Sequence, residues 1–386
     1  MSTKLLAVTA LSAAMILTAG SSHAADRVVQ AKVAMTDSTA AALATTNRVA
    51  IASVMVSFQA SAGGEKTSTS GLFAAKSDAS SVLQMPVMDT QLLAAITDDI
   101  YKQLKADLQA SGFEVLPEAD VLASPTYQKV IAMAGIANFS KFANMNGDVI
   151  LVGASGLKPY LPYNAETGKF GTPSRSLIKD WISRMGGKSS TEGGPSIVST
   201  AEIYALPGLE VDMSKELNAH VVKATYVVTL GSTKSGVERF TGTHQDTQGN
   251  TGFASTHTGS AFVQAGLLAG QSRIAFRTSA ANTRGESSSG GYLNNFGNNA
   301  GAAKDGDVVV TLAESLAGGT DFFSVTGGEK KAGGVEKFLF GKALGGTGAD
   351  TQFEFTASIS DPAAYRAEVV GMVKQAQRDM LVLVKR

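Results

Sequence analysis

The stretch from Thr90 to Ser111 constrains this chain most. Leu92, Ile96, Ile100, Leu104 and Leu108 recur every four residues, and Leu93 and Tyr101 widen the stripe. At 3.6 residues per turn this spacing gathers them on one face of a helix. Asp98, Asp99, Lys102, Lys105 and Asp107 take the other face, with Asp98 and Lys102 an (i, i+4) pair in the better orientation. Asp89 stands where its carboxylate can accept the free N–H groups of the first turn. Gly112 supplies a left-handed stop, from which Phe113 can fold back onto Leu108. Apolar runs flank the helix, Val49–Phe58 before it and Phe113–Pro117 after it, so the unit reads as strand, helix, strand.

The run Arg48 to Phe58 is apolar on both faces, which predicts a central strand covered on both sides. Ser61 to Ser81, with Gly63-Gly64 and many Ser, Thr and Ala residues, predicts a long loop. Ser124-Pro125 opens a second helix with Tyr127, Val130, Ile131 and Ala134 on its apolar face. Residues Ile136 to Met145 read as one or two further turns. Asp148 to Gly153 predicts a short strand of the kind buried in a parallel sheet. Leu177, Ile178, Trp181, Ile182 and Met185 form a compact helical stripe, followed by a flexible linker from Gly187 to Ser196. His220 to Leu230 alternates, with Val222, Ala224, Tyr226, Val228 and Leu230 on one side, and predicts a strand with one wet face.

The second half holds much of the chain's 41 glycines. Strands are predicted at Arg273–Thr278, Asp307–Leu312, Phe322–Thr326, Lys337–Phe340 and Gln352–Ser360, with low-complexity sequence from Arg284 to Gly306. Asp361-Pro362 caps a last helix bearing Tyr365, Val369, Met372, Val373, Ala376 and Met380. The fold class is therefore α/β or α+β: a mixed sheet with flanking helices, a glycine-rich β-strand half and a C-terminal helix. The expected organisation is a signal peptide over 1–24, an N-terminal arm over 25–47 and an αβ core over 48–236. A glycine-rich β region with long loops follows over 237–360 as part of the same domain, and the C-terminal helix takes 361–386.

Lys4, the apolar run Leu5–Ala19 and the small residues of Ser22-His23-Ala24 read as a secretory signal cut after Ala24. The apolar run is shorter than the ~20 residues needed to span a bilayer as a helix. Cleavage removes Lys4 alone from the charged residues, so the balance of 33 basic and 33 acidic residues moves from zero to −1. That balance speaks against nucleic acid and against electrostatic attachment to anionic lipid. The chain has no cysteine, so an exported form has neither disulfides nor a bacterial lipid anchor.

No catalytic, cofactor or metal residues are assigned. Gly187-Lys188-Ser189 resembles the end of a phosphate loop, but Ile182 stands where the first glycine belongs. His220, His244 and His257 read as solvated strand or loop residues. His244 with Asp246 lacks the further close ligands of a metal site, and Asp305 and Asp307 lack the remaining ligands of a calcium loop. The nearest approach to a nucleophile elbow, Gly285 to Gly290, has one residue too many. Trp181 and Met185 have core spacing.

Together Val49–Phe58, Thr90–Ser111, Phe113–Glu118 with Leu122, Asp148–Gly156 and His220–Gly236 resemble the CsgG family of curli-type outer-membrane secretion channels, the last looking like the family's later alternating strand leading into a turn, with Gly231 and Gly236 at its end. The αβ unit is also similar to the N-terminal domain of TolB and to periplasmic ring proteins around flagella. The resemblance implies an exported cell-envelope protein, in the periplasm, the outer membrane or outside the cell, with a non-catalytic structural, assembly or secretion-related role. Its partner would be another protein or further copies of itself. CsgG-family proteins are lipoproteins whose hairpins build a membrane barrel, and this chain departs from them in having no cysteine. The alternative reading is a soluble periplasmic ligand-binding module. Gly63–Ser81 and Arg284–Gly306 are the segments expected either to reach a partner or to serve as passive linkers.

Overall fold

A computed structural model describes residues 33–35, 40–70, 75–144, 147–160, 163–164, 169–170, 200–245, 251–279, 307–330 and 350–384. In chain order the elements are β1 (Val33–Met35), α1 (Ala40–Leu43), β2 (Arg48–Gln59), β3 (Ser61–Ser70), β4 (Ala75–Gln84), α2 (Thr90–Ala110), β5 (Glu114–Val115), α3 (Glu118–Ala123), α4 (Pro125–Ala134), β6 (Phe139–Asn144) and β7 (Gly147–Gly153). There follow β8 (Tyr163–Asn164), β9 (Lys169–Phe170), α5 (Thr200–Leu217), β10 (His220–Gln245), β11 (Thr251–Leu267), β12 (Arg273–Arg277), β13 (Asp307–Leu312), β14 (Leu316–Ala317), β15 (Phe323–Lys330), β16 (Asp350–Ile359) and α6 (Pro362–Val382). The fold is mixed α/β.

The main sheet runs β1-β13-β12-β10-β2-β7-β6, with β11 and β5 attached to β10 and β2. β2 and β10 lie parallel at its centre, and their neighbours β7 and β12 are antiparallel to them. Helices cover both faces. On one, Leu93, Ile96, Ile100, Leu104 and Leu108 of α2 meet Tyr365, Val369, Val373, Ala376 and Met380 of α6 over Val54, Val56 and Phe58 of β2. On the other, Tyr127 and Val130 of α4 and Leu206 and Met213 of α5 pack over Ala50, Ala52 and Val221. A bulge separates the two halves of β2: Val222 pairs with Ile51 and Lys223 with Ser53, leaving Ala52 as the extra residue. Small side chains on the α4 and α5 side let those helices lie close to the sheet.

α2 is stopped and started as its sequence predicts. The Asp89 carboxylate accepts from the N–H groups of Gln91 and Leu92. Gly112 has φ of 92°, and the N–H of Phe113 donates to the Leu108 carbonyl. β2, α4, β12, β13, β16 and α6 also fall on the predicted stretches, and Asp361 caps α6 by accepting from Ala363 and Ala364.

Several expectations are corrected. Ser61–Ser70 and Ala75–Ser81 are not loop: β3 and β4 pair antiparallel within a second sheet of order β15-β16-β4-β3. Among the described side chains of these segments Ala62 alone enters an apolar cluster, and the Gly, Ser and Thr residues elsewhere leave no alternation of the kind that marks a half-buried strand. Residues 136–144 are not helical, and Met145 lies outside the described residues. The helix before them ends at Gly135, where a Cβ would lie 2.4 Å from the Ile131 carbonyl oxygen, and β6 then pairs with β7. β7 is antiparallel to both neighbours, because an apolar run reports burial and not strand direction. α5 was not foreseen, since Pro207-Gly208 within it signals a break. The arm contributes β1 to the edge of the main sheet. β10 does not turn at Gly231 or Gly236 but continues to Gln245, through residue 236. The predicted helix around Trp181, the linker Gly187–Ser196, the strand Lys337–Phe340 and the segment Arg284–Gly306 lie outside the described residues, as does the signal segment.

Candidate functional site

β10 is 26 residues long and pairs with β2 only as far as Val228. Beyond that point it pairs with β11 alone among the described residues, as a two-stranded ribbon closing at Gln245 and Thr251. At ~3.3 Å per residue the whole of β10 has a contour of ~85 Å. Two residues make the departure from the main sheet possible. Gly231 sits at a register shift with φ of 140°, and a Cβ there would lie 2.1 Å from the Phe262 carbonyl oxygen. Gly259 meets the ring of Phe353 so closely that a Cβ would fall 2.1 Å from it.

The second sheet packs on the base of this ribbon. Ala62, Leu83, Met85 and Ala357 meet Leu230 and Val263 in a small apolar cluster. Buried Ser81 is the polar hinge of the contact. Its hydroxyl donates to the Lys234 carbonyl at 3.1 Å and lies 2.9 Å from the Ser235 hydroxyl, while the Thr233 hydroxyl donates to the Ser81 carbonyl. Small side chains therefore set the spacing between the layers. On the outer face of the ribbon Phe262 is 56% exposed, and on edge strand β15 Val325 is 44% exposed. Open strand edges carrying apolar side chains are templates for pairing with another chain.

A second polar cluster lies under α5. Glu210 is fully buried, and its two carboxylate oxygens take Lys223 of β10 at 2.5 Å and Arg277 of β12 at 3.3 Å. The Lys223 ammonium also stands 5.6 Å from the centre of the Tyr160 ring. The expected wet face of β10 is thus covered, because the side bearing Lys223 meets α5. The arrangement fixes α5 on the sheet, in keeping with a carboxylate held between two cations in low dielectric.

The residues weighed in the sequence separate. His220 is buried and not solvated: its Nε2 lies 3.3 and 3.1 Å from the carbonyl oxygens of Leu43 and Thr46, tying α1 to the start of β10. His244 and His257 stand on opposite strands of the ribbon, opposite Gly252 and Val237. Asp307 begins β13, opposite Arg277. Asp246, Asp305, Gly187-Lys188-Ser189 and Gly285–Gly290 lie outside the described residues. Among the described residues no group of three His, Cys, Asp or Glu side chains is placed to hold a metal, and no helix is long and apolar enough to cross a membrane. Sequence reasoning missed the ribbon and Glu210. No apolar alternation beyond Gly236 marked the former, where Val237 is followed by charged Glu238 and Arg239, and nothing in the chain marked the latter. No protein-family model, curated protein or solved structure matched the chain.

Proposed function

We propose that this chain is an exported cell-envelope protein that works by assembly, with other copies or a protein partner, and without catalysis. The observation that carries the reading is the β10–β11 ribbon, which leaves the main sheet at Gly231 and presents strand edges that no other described strand pairs with, beside exposed Phe262. The secretory signal and the resemblance to CsgG-type envelope proteins support it. The three-layer core is the platform, and the ribbon with the second sheet is the contact surface. The ribbon is longer than the 9–11 residues with which a tilted strand crosses a bilayer, so the outer membrane is an available setting as well as the periplasm.

The test is the mass of the mature protein by light scattering, with and without detergent, beside a variant in which residues 236–257 are replaced by a short turn. Assembly predicts a discrete oligomer or complex for the intact chain and a monomer for the variant, with unchanged circular dichroism from the helices. A monomer under every condition, saturably stabilised by a small ligand, would replace this reading with that of a ligand-binding module.

A further inference from the structure

The seam between α2 and α6 contains polar groups that a purely apolar helix pair would not need. Asp107 of α2 is 7% exposed. Its Oδ1 accepts from Gln103 Nε2 at 2.7 Å and lies 3.7 Å from Arg378 Nε, whereas Oδ2 is buried without a donor. On α6, fully buried Gln377 donates from Nε2 to the Ile100 carbonyl at 3.3 Å and to the Tyr226 hydroxyl at 2.9 Å. Its Oε1 is also buried without a donor. Two acceptors thus stand without donors along one helix pair, a costly arrangement when both are ionised or neutral acceptors only.

We propose that α6 is a strap whose closure onto α2 and the sheet is tightened by one proton taken up at the Asp107 carboxyl. A protonated Asp107 becomes a donor in a seam that has surplus acceptors, and it no longer holds a desolvated charge. Burial raises this carboxyl above its usual range, while Gln103, Arg378 and Lys374 act in the lowering direction and do not outweigh it. The other titratable groups of the seam are Tyr226 of β10 and Tyr365 of α6, both raised by burial and neutral throughout, and the ion pair of Asp99 on α2 with Arg366 on α6 at 2.6 Å. When α6 lifts, Asp107 meets water and returns to the ordinary carboxylate range. The closed strap therefore binds the proton more tightly than the open one. Its stability rises as pH falls through the raised value, and levels off below the ordinary one.

The experiment is hydrogen exchange by mass spectrometry on the full mature chain from pH 8 down to the ordinary carboxylate range, corrected for intrinsic exchange, with Asp107→Asn separating this proton from those of other carboxylates. Protection of α6 amides should rise as pH falls, by no more than tenfold per pH unit for one linked proton, while β2 amides stay level. Asp107→Asn should remove the slope. Arg378→Ala, at a side chain 55% exposed, should keep the fold and move the rise to higher pH, because it removes a cation that favours the charged carboxylate. A flat profile in the unaltered protein, the same slope in Asp107→Asn, a slope shared equally by β2, or a shift to lower pH in Arg378→Ala would each overturn the proposal.

Discussion

Replacing Gly231 by alanine tests whether the ribbon is held in one register by a single backbone position. The residue has φ of 140°, a conformation that side chains rarely adopt, at a cost of ~1–3 kcal/mol. The added Cβ would also lie 2.1 Å from the Phe262 carbonyl oxygen and 2.9 Å from Val263 Cα. Both are backbone atoms of β11, so relief requires the two strands to separate or slip. We expect a total loss of about 3–5 kcal/mol if the ribbon stays paired. A smaller loss is expected if it opens beyond Val228 and leaves the core intact. Gly63→Ala is the control: the nearest heavy atom to its Cβ is the Ser81 carbonyl oxygen at 3.9 Å, an ordinary contact. Its effect should stay within ~0.5 kcal/mol and can be stabilising, since alanine narrows the unfolded ensemble. Urea titration followed by circular dichroism measures the first quantity. Hydrogen exchange of residues 229–245 against residues 49–58 distinguishes opening of the ribbon from loss of the core. Equal midpoints and equal ribbon protection in the two variants would refute the argument that Gly231 sets the register.

Ile100→Asp places a charge at a position 1% exposed beneath α6 and should cost about 4 kcal/mol or more, whereas exposed Lys102→Ala should change stability by only ~0.5 kcal/mol, both read by urea titration. Glu210→Gln should cost about 3 kcal/mol in the same assay, because it leaves buried cations without their shared carboxylate. Glu216 of α5 accepts from the N–H and hydroxyl of Thr126 at the start of α4. Desolvation there pushes its pKa up, but the bonds from Thr126 and Ser124, with Lys129, outweigh it and hold the group below the usual range. Its contribution is therefore present above the ordinary carboxylate range and lost as pH falls through the folded value, so Glu216→Gln should flatten the acid side of a thermal-stability profile. Intact mass of the exported protein should begin at Ala25, and retention of Met1 would contradict the secretory reading.

The organising helix was legible because its stripe, cap and stop all depend on residues near in sequence. Leu93, Ile96, Ile100, Leu104 and Leu108 are buried as their spacing requires, with Asp89 and Gly112 at the ends. α6 was legible for the same reason. Strand direction was not, since β7 looks alike to a parallel or an antiparallel neighbour. α5 was hidden by Pro207-Gly208, and the packing of Leu206, Val211 and Met213 holds it despite them. The β3–β4 hairpin was hidden by composition. Its Gly, Ser and Thr residues satisfy their backbone groups through β4 and β16, and their small size permits the Ser81 contact with β10. Low hydrophobicity there marks close layer packing and not an absence of structure.

A chain that works by strand pairing, as proposed, needs few chemical motifs. A catalytic or metal site needs particular side chains at particular distances, and those leave marks in the sequence. A surface built for strand pairing uses backbone N–H and C=O groups, which every residue supplies except for the missing N–H of proline. Its requirements are length, an open edge and a bend that frees the strand from its sheet. In this chain the bend is Gly231, whose sequence signature is the same as that of a turn. The glycine that makes β10 look finished at Leu230 is the one that lets it continue to Gln245, so the feature most able to meet a partner is also the one that local sequence reasoning truncates.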